Sequence, residues 1–234
     1  MKKLSVLLIL LLSVYKYTLC QNNNLVRFYE NALVGYKTTE GKIIVPPIYK
    51  FGSEFKEGRA IVYQNGKRGY IDATGKVVIP IIYDDATLFQ DGMAAVLQNG
   101  LYSYINIYGE IKIAPAFEYA EVFNENLALV KKNGKYGYIS KDGKWVIAAQ
   151  YEVAMRFSQQ IAAVKLNGKW GYINSDGSLL LPFQYQAASA FSQNGTAEVT
   201  IDKERYLINK RGKILEKLKK HEEEEQEERK ENRK

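Results

Sequence analysis

Short segments of alternating apolar and polar residues, joined by turn residues, run through most of the chain. The segment 162–174, AAVKLNGKWGYIN, alternates on both sides of Asn167-Gly168. An Asn-Gly pair between such segments is typical of a β-hairpin with a type I′ turn, because both residues tolerate a positive φ. The same pair recurs at 65–66, 99–100 and 133–134. The pattern therefore predicts a series of β-hairpins.

A second turn and a third strand follow each predicted hairpin. Four-residue segments such as 174–177, NSDG, begin with a residue that can bond its own backbone and end with a glycine suited to the left-handed conformation. An apolar segment comes next, as in 178–182, and we predict that Pro46, Pro80 or Pro182 ends it. Each unit is thus predicted to be a three-stranded antiparallel meander followed by a loop of about a dozen residues.

The predicted units recur at a fixed interval. The turn glycines are 34 residues apart, and 35 at the last step: Gly41, Gly75, Gly109, Gly143, Gly177 and Gly212. Three aromatic columns keep the same interval: Tyr36, Tyr70, Tyr104, Tyr138 and Tyr172; then Tyr49, Tyr83, Phe117, Tyr151 and Tyr185; then Phe55, Phe89, Phe123, Phe157 and Phe191. A partial unit before Gly41 and a final strand at 213–215 raise the count to six. The sequence predicts an all-β tandem array of about six three-stranded meanders.

Side-chain alternation predicts how the meanders pack. The first strands share a face of small and branched residues, as in Ala60 and Val62, and the second strands are apolar on both faces. Sheets with two apolar faces must be covered on both sides. Stacked meanders meet this condition, either as a closed propeller-like ring or as an open twisted β-array. Trp145 shares a third-strand column with Ile43, Val77, Ile111 and Leu179, and we predict that this column belongs to the core.

Several segments of the sequence resemble a known repeat family. They are GKRGYID at 66–72, GKYGYIS at 134–140, GKWGYIN at 168–174 and the following GK-apolar-apolar-apolar-P segments. Residues from about 25 to 215 resemble the bacterial WG-containing (KWG) β-repeats. Only Trp170-Gly171 keeps the dipeptide that names the family, whereas Arg68-Gly69, Tyr102-Ser103 and Tyr136-Gly137 depart from it. The resemblance implies an exported or surface-associated interaction module, without general catalytic residues and without an agreed ligand.

The position of Trp170 offers candidate ligand-binding residues. Arg68, Tyr102 and Tyr136 occupy the same position in the preceding units. The aromatic members either pack between neighbouring sheets or form an exposed row on which glycans stack. Large aromatic side chains are an effective source of buried area in a domain without a disulfide, which favours packing. Trp170, Tyr136 and Tyr102 are therefore candidates for a ligand-binding row rather than an assigned site.

The residue types argue against catalysis. The single histidine, His221, lies in the charged C-terminal segment, so the domain has no histidine for a nucleophile–histidine pair or a metal site. Carboxylates cluster at Glu118, Glu121 and Glu125 and at Asp84-Asp85, as surface loops of a charged protein commonly do. The glycines are interpreted as turn residues, so none forms a phosphate-binding loop. We predict no enzyme, no cofactor and no metal site.

The two ends of the sequence differ from the repeats. Lys2 and Lys3 precede an eleven-residue apolar segment, 4–14, which is typical of a signal peptide, predicted at 1–20. Cleavage after Cys20 releases the protein, whereas lipidation of Cys20 would anchor it; Leu19 fits a lipobox poorly, which favours release. The repeat domain is predicted at 21–213. The segment 214–234 is predicted to be a charged tail, helical or disordered, that solubilises the chain or binds a partner.

Net charge completes the sequence-based prediction. The chain carries +7, from 33 basic and 26 acidic residues distributed along it. This distribution lacks the concentrated basic stripe of a nucleic-acid-binding surface. We predict an exported protein, periplasmic, secreted or at the cell surface, that acts as a non-catalytic scaffold for a protein or cell-envelope component. A carbohydrate-binding surface protein is the alternative, and neither prediction includes a transmembrane helix in the mature chain.

Overall fold

The computed structural model describes residues 25–218, and this part of the chain consists of strands and turns. No helix in that range is long and apolar enough to cross a membrane. The chain divides into two compact units, the first up to Ala116 and the second from Phe117. The predicted signal peptide at 1–20, the candidate lipidation site Cys20 and His221 lie outside the described residues.

Six antiparallel sheets follow one another along the chain, and we number them in that order. Sheet 1 contains β1 (Val26–Glu30), β2 (Leu33–Lys37) and β3 (Ile43–Tyr49). Sheet 2 contains β4 (Phe51–Gly52), β5 (Ala60–Gln64), β6 (Lys67–Ile71) and β7 (Val77–Tyr83). Sheet 3 contains β8 (Asp85–Ala86), β9 (Met93–Gln98), β10 (Leu101–Asn106) and β11 (Ile111–Phe117).

The three remaining sheets have the same strand order. Sheet 4 contains β12 (Tyr119–Ala120), β13 (Leu127–Lys132), β14 (Lys135–Ser140) and β15 (Trp145–Tyr151). Sheet 5 contains β16 (Val153–Ala154), β17 (Ile161–Leu166), β18 (Lys169–Asn174) and β19 (Leu179–Tyr185). Sheet 6 contains β20 (Ala187–Ala188), β21 (Thr196–Ile201), β22 (Glu204–Asn209) and β23 (Ile214–Lys217). The predicted all-β array of six meanders is confirmed.

The prediction that a loop of about a dozen residues follows each meander is wrong. The third strand continues past the proline, so that β7 runs through Pro80 to Tyr83. Proline is tolerated there because β7 is an edge strand with a bulge opposite β6. A two-residue strand then pairs with the next hairpin, and a tight turn follows it, as at 90–93, where Gln90 and Met93 exchange backbone hydrogen bonds. Five of the six sheets are therefore four-stranded.

The backbone of the hairpin turns agrees with the sequence pattern. Asn167 and Gly168 have φ values of 50° and 75°, the two positive angles of a type I′ turn. Asn65-Gly66, Asn99-Gly100 and Asn133-Gly134 do the same. Gln159 and Gln160 also have positive φ, although neither residue type favours it. The first four pairs were predicted, and the Gln-Gln turn was not.

The interpretation of all glycines as turn residues is wrong for Gly52, in β4, and for one column of second-strand glycines. Gly69, Gly137 and Gly171 lie in the middle of second strands. A Cβ on Gly137 would lie 2.6 Å from the carbonyl oxygen of Ile147 and 2.7 Å from the amide nitrogen of Ala149. The adjacent third strand approaches too closely at its bulge for a side chain. This contact explains why glycine follows the aromatic position in the repeat.

Within each unit, one face of a sheet packs on the opposite face of the next. In the second unit, Tyr138 and Ile147 of sheet 4 belong to one buried cluster with Ala162 and Val164 of sheet 5. Tyr172 and Leu181 of sheet 5 likewise share a buried cluster with Ala197 and Val199 of sheet 6. The small alanine permits this close approach, as the sequence predicted. Sheets 4, 5 and 6 therefore stack in chain order.

The Tyr36 and Phe55 columns join neighbouring sheets. The rings of Tyr138 and Phe157 lie 4.6 Å apart, and the Tyr138 hydroxyl donates a 2.6 Å hydrogen bond to the carbonyl of Met155. Tyr36, Tyr70 and Tyr172 make the equivalent bonds to Ser53, Thr87 and Ser189. Burial raises the pKa of each of these four phenols well above its usual value. These tyrosines are structural.

The predicted core position of Trp145 is wrong. Its side chain is 39% exposed, and the matching residues Ile43, Val77, Ile111 and Leu179 are all exposed. A bulge in β15 is the cause: Ile147 lies opposite Tyr138, whereas Trp145 lies opposite the adjacent Ile139. Trp145 therefore belongs to the other face of the sheet from Ile147, at its edge. One side of the indole contacts the Phe117 ring edge-on, at 6.0 Å.

Candidate functional site

The hairpin end of each sheet, next to the Asn-Gly turn, carries a row of three directly opposed residues. We call it the outer row, with one member each from the short strand and the two hairpin strands. The outer rows of sheets 2 to 6 are Phe51–Tyr63–Arg68, Asp85–Leu97–Tyr102, Tyr119–Lys131–Tyr136, Val153–Lys165–Trp170 and Ala187–Thr200–Arg205. The row combines aromatic, aliphatic, acidic and basic side chains.

Three columns of residues in the same strands but inside the fold barely vary. Alanine, valine and isoleucine columns are fully or almost fully buried: Ala60, Ala94, Ala128, Ala162 and Ala197; Val62, Val96, Val130, Val164 and Val199; Ile71, Ile105, Ile139, Ile173 and Ile208. In the outer row, by contrast, every member except the buried Tyr102 is at least partly exposed. Chemical variety is therefore concentrated at the hairpin ends.

The three candidate ligand-binding residues occupy one outer-row position but differ in environment. Trp170 is half-buried and packs against the cluster between sheets 5 and 6. Tyr136 is half-buried against the cluster between sheets 4 and 5. Tyr102 is buried, at 8% exposure. Each ring thus contributes to packing, and only Trp170 and Tyr136 also present part of their surface to solvent.

In sheets 2 and 3 the hairpin ends are joined by charge. The Tyr102 hydroxyl donates a 2.6 Å hydrogen bond to Asp85 Oδ2, and the Arg68 guanidinium forms an ion pair with Oδ1 of the same carboxylate. Lys67 forms an ion pair with Asp84. Burial raises the pKa of the Tyr102 phenol, although the nearby Arg68 opposes the shift. Asp84 and Asp85 therefore act here as partners of basic side chains.

In sheet 4 the outer row forms an aromatic and basic cluster. The Tyr119 and Tyr136 rings meet edge-on at 6.0 Å, and the Lys131 ammonium lies 5.4 Å from the centre of the Tyr136 ring. The Tyr119 hydroxyl donates a 2.5 Å hydrogen bond to Glu121, which also pairs with Arg156. Tyr119 is 37% exposed. This cluster offers solvent a phenol edge and an ammonium group.

The remaining loop carboxylates hold backbone groups. Glu125 accepts hydrogen bonds of 2.9 and 2.8 Å from the amides of Gln159 and Gln160, one repeat further along. Glu57 binds the amides of Asp91 and Gly92 in the same way. Glu118 accepts from the amide of Gly134, at 3.2 Å to each carboxylate oxygen. Among residues 25–218, no group of three or more histidine, cysteine or acidic residues is placed to hold a metal ion.

Sequence reasoning missed most of the outer row. It singled out the Trp170 position but not Lys131 and Lys165 beside it on the first strands, nor Tyr119 on the short strand. One signal in the sequence could have revealed the first-strand members, because residues of different types recur at the 34-residue interval: Tyr63, Leu97, Lys131 and Lys165. The short-strand members had no such signal, since two-residue strands leave no alternation to detect.

The comparison with solved structures finds similar folds at low sequence identity. A crystal structure of the eukaryotic initiation factor aligns with 85% of this chain at 9% identity and a TM-score of 0.58, and the chain spans 63% of that structure. Kluyveromyces lactis Hsv2 with its complete loop 6CD aligns with 86% of this chain and 72% of its own, at 12% identity and a TM-score of 0.50. At such identities the likeness concerns the fold alone. No curated protein matches the chain significantly in sequence.

A family comparison agrees with the repeats seen in the fold. The model of the WG containing repeat matches five consecutive segments: 35–67, 69–102, 102–136, 136–170 and 170–204. Each segment ends near an outer-row residue of a second strand, so a family repeat runs from the second strand of one sheet to the second strand of the next, in register with the array. Together the matches cover most of the chain, which therefore belongs to the WG containing repeat family.

Proposed function

We propose that the chain is an exported, non-catalytic scaffold that binds a protein or a cell-envelope component through its outer rows. The observation that carries the proposal is the contrast between uniform buried columns and a chemically varied outer row on the same strands. A repeat array needs the buried columns to stack its units. The outer row needs no such uniformity, so its varied side chains are available for recognition.

The polar groups within the described residues support a binding role over a catalytic one. Glu57 and Glu125 hold backbone amides, and Asp84 and Asp85 hold basic side chains. A general acid or base must instead face a substrate with an unengaged group. Partly exposed tyrosine, tryptophan and arginine side chains are the types enriched at protein interfaces. Export is supported by the sequence pattern of residues 1–20 alone.

Site-specific photo-crosslinking in the producing cells tests the proposal. A photoreactive amino acid replaces Tyr119, in the outer row, or Tyr108, which is 68% exposed in the turn at the opposite end of its sheet. We expect a discrete partner adduct from position 119 and none from position 108. The purified partner should then bind the full chain, and Tyr119→Ala should weaken that binding about tenfold, ~1.4 kcal/mol. Equal adducts from both positions would contradict the proposal.

Carbohydrate binding is the second candidate function, favoured by the Tyr119, Lys131 and Tyr136 cluster. Two partly exposed phenols beside an ammonium group present both ring surface and a hydrogen-bond donor. Titration of the full chain with glycans and peptidoglycan fragments, followed by tryptophan fluorescence, tests it. A saturable change lost in Tyr119→Ala but kept in Tyr108→Ala, both of which retain the two tryptophans, would support a glycan site. Absence of any saturable change would leave protein partners as the function.

A further inference from the structure

The hairpin ends of sheets 4 and 5 carry a concentration of positive charge. Five lysines lie within three residues of the two Asn-Gly turns: Lys131, Lys132, Lys135, Lys165 and Lys169. All five side chains are exposed or partly exposed. Among the described residues, none of the five forms an ion pair with a carboxylate. We call this group the lysine surface.

The same end of sheets 2 and 3 is neutralised, which makes the lysine surface distinctive. Lys67 and Arg68 pair there with Asp84 and Asp85. The position of Asp85 is taken by Tyr119 in sheet 4 and by Val153 in sheet 5, which removes one carboxylate from each.

Three carboxylates remain near this end of sheets 4 and 5: Glu121, beside Tyr119, pairs with Arg156, and the other two bind backbone. Glu118 accepts from the amide of Gly134, and Glu152 accepts from the amide of Gly168 at 3.1 Å. Five ammonium groups against three carboxylates, one of them paired with Arg156, leave a positive surface that favours an acidic occupant.

The chain leaves the described fold beside this surface. The last strand, β23, ends at Lys217, and the amide of Leu218 donates a 2.9 Å hydrogen bond to the carbonyl of Arg205. Arg205 is the outer-row residue of sheet 6, so Leu218 lies at the hairpin end of that sheet. Sheets 4, 5 and 6 stack in order, and packed sheets are ~10 Å apart. In the stacking direction, the hairpin end of sheet 5 is thus about 10 Å away and that of sheet 4 about 20 Å.

The sequence beyond this point supplies an acidic segment of suitable reach. Six of the seven residues 222–228 are glutamate. They follow Leu218 by four to ten residues, which can span at most about 13 to 36 Å when extended. Both sets of lysines fall within that distance. The acidic charge of residues 222–228, their starting point at sheet 6 and their reach therefore all favour this segment as the occupant of the lysine surface.

We propose that the glutamate-rich segment 222–228 of the same chain binds across the lysine surface. Its carboxylates pair with the ammonium groups of sheets 5 and 4 and cover the Tyr119, Lys131 and Tyr136 cluster. An acidic partner would then have to displace the segment, so the segment and the partner compete for these hairpin ends. The contact is intramolecular and does not depend on the identity of any partner.

Carbodiimide cross-linking of the full chain tests the contact directly, because this reagent joins carboxylates to amines that touch. Equal amounts of unlabelled and nitrogen-15-labelled chain are mixed before the reaction. We expect cross-links from 222–228 to the lysine surface, within single chains, and their loss at high salt, which screens exposed charge pairs. Lys141 and Lys213, in turns at the opposite ends of sheets 4 and 6, serve as internal controls and should show none.

A second measurement keeps the test independent of cross-linking chemistry. In Lys165→Glu/Lys169→Glu, cross-links to the sheet 4 lysines should be lost, whereas Lys141→Glu/Lys213→Glu, with the same change in charge, should keep them. Replacing the six glutamates by glutamine should shift the amide resonances at 131–135 and 165–169. Cross-links between labelled and unlabelled chains would assign the surface to a second copy and overturn the proposal. Unchanged resonances, or cross-links that resist salt or reach the control lysines equally, would also overturn it.

Discussion

Replacing Gly137 by alanine should destabilise the second unit by more than any exposed glycine substitution. The new Cβ would lie 2.6, 2.7 and 2.8 Å from atoms of Ile147, Ala149 and Ala148, all in the backbone of β15. Ordinary contact requires roughly 3.4 Å or more, so β15 must move away by over half an ångström. Because backbone atoms cannot rotate aside as a side chain can, the relief requires distortion of the β14–β15 pairing.

The magnitude follows from two opposing effects. Overpacking of a well-packed interior costs about 1–3 kcal/mol, and a backbone contact belongs at the upper end of that range. Alanine also restricts the unfolded chain, which returns about 0.4–1 kcal/mol. We therefore expect a net loss of about 2 kcal/mol, or a urea midpoint lower by about 1 M. Both tryptophans, Trp145 and Trp170, lie in the second unit, so their fluorescence reports its unfolding.

The control is Gly134→Ala, in the adjacent hairpin turn. Nothing lies within 4 Å of its Cβ, but its φ is +73°, so the expected loss is the cost of a left-handed alanine, about 1 kcal/mol. Ser103 occupies the equivalent of Gly137 in sheet 3 and is buried, so that sheet accommodates a side chain that sheet 4 should not. Equal midpoints for Gly137→Ala and the native chain would refute the reasoning about close strand approach.

Three further outcomes follow from the same structure. Glu125→Ala removes two charge-assisted hydrogen bonds to the 159–160 turn and should lower the free energy of unfolding, measured in urea, by about 1–3 kcal/mol. Glu118→Ala should lower it less, because the hydrogen bonds of Glu118 are longer. Lys203→Gly relieves the strain of a residue with a φ of 67° and should raise the free energy of unfolding by about 0.5–1 kcal/mol. Lys135→Gly, within β14, should lower it by a similar amount. The opposite order would contradict the turn assignment. Burial raises the pKa of Tyr138 in the folded state, so its protonated form stabilises the fold and that stability is lost as the pH rises above the unfolded value of about 10. The phenolate of Tyr138, followed through the NMR signal of its own ring in tyrosine-labelled chain, should accordingly appear with alkaline unfolding and not before it.

The hairpins were predictable because their determinants are local. Asn-Gly pairs specify a type I′ turn within four residues, and the 34-residue interval reveals the columns without knowledge of the fold. The Gln159-Gln160 turn has no such residues. Its positive φ angles are held by the Glu125 carboxylate, which binds both amides from one repeat earlier. A turn specified by a distant residue cannot be recognised from its own sequence.

Trp145 shows why side-chain alternation fails at a bulge. Counting by twos places residues 145 and 147 on one face, but the extra residue in β15 assigns them to opposite faces. Glycine at 137 permits the close approach at a second irregularity of the same strand pair, between Tyr136 and Tyr138. Both effects depend on the register between two strands, which cannot be predicted from the sequence of one strand alone. The same limitation hid the outer row, whose members come from three strands.

The last sheet shows the link between burial and sequence variety most directly. Glu198 and Arg205 form an ion pair on the face of sheet 6 that is apolar in the preceding sheets, and Leu207 replaces the tyrosine of the Tyr36 column. Both paired side chains are partly exposed, so charge costs little there. Where a face is covered, as at Ala162 and Val164, the residue type is fixed by the space available. The outer row has exposed or partly exposed members in each of sheets 2 to 6, so the stacking of the array constrains its residue types less than those of the buried columns.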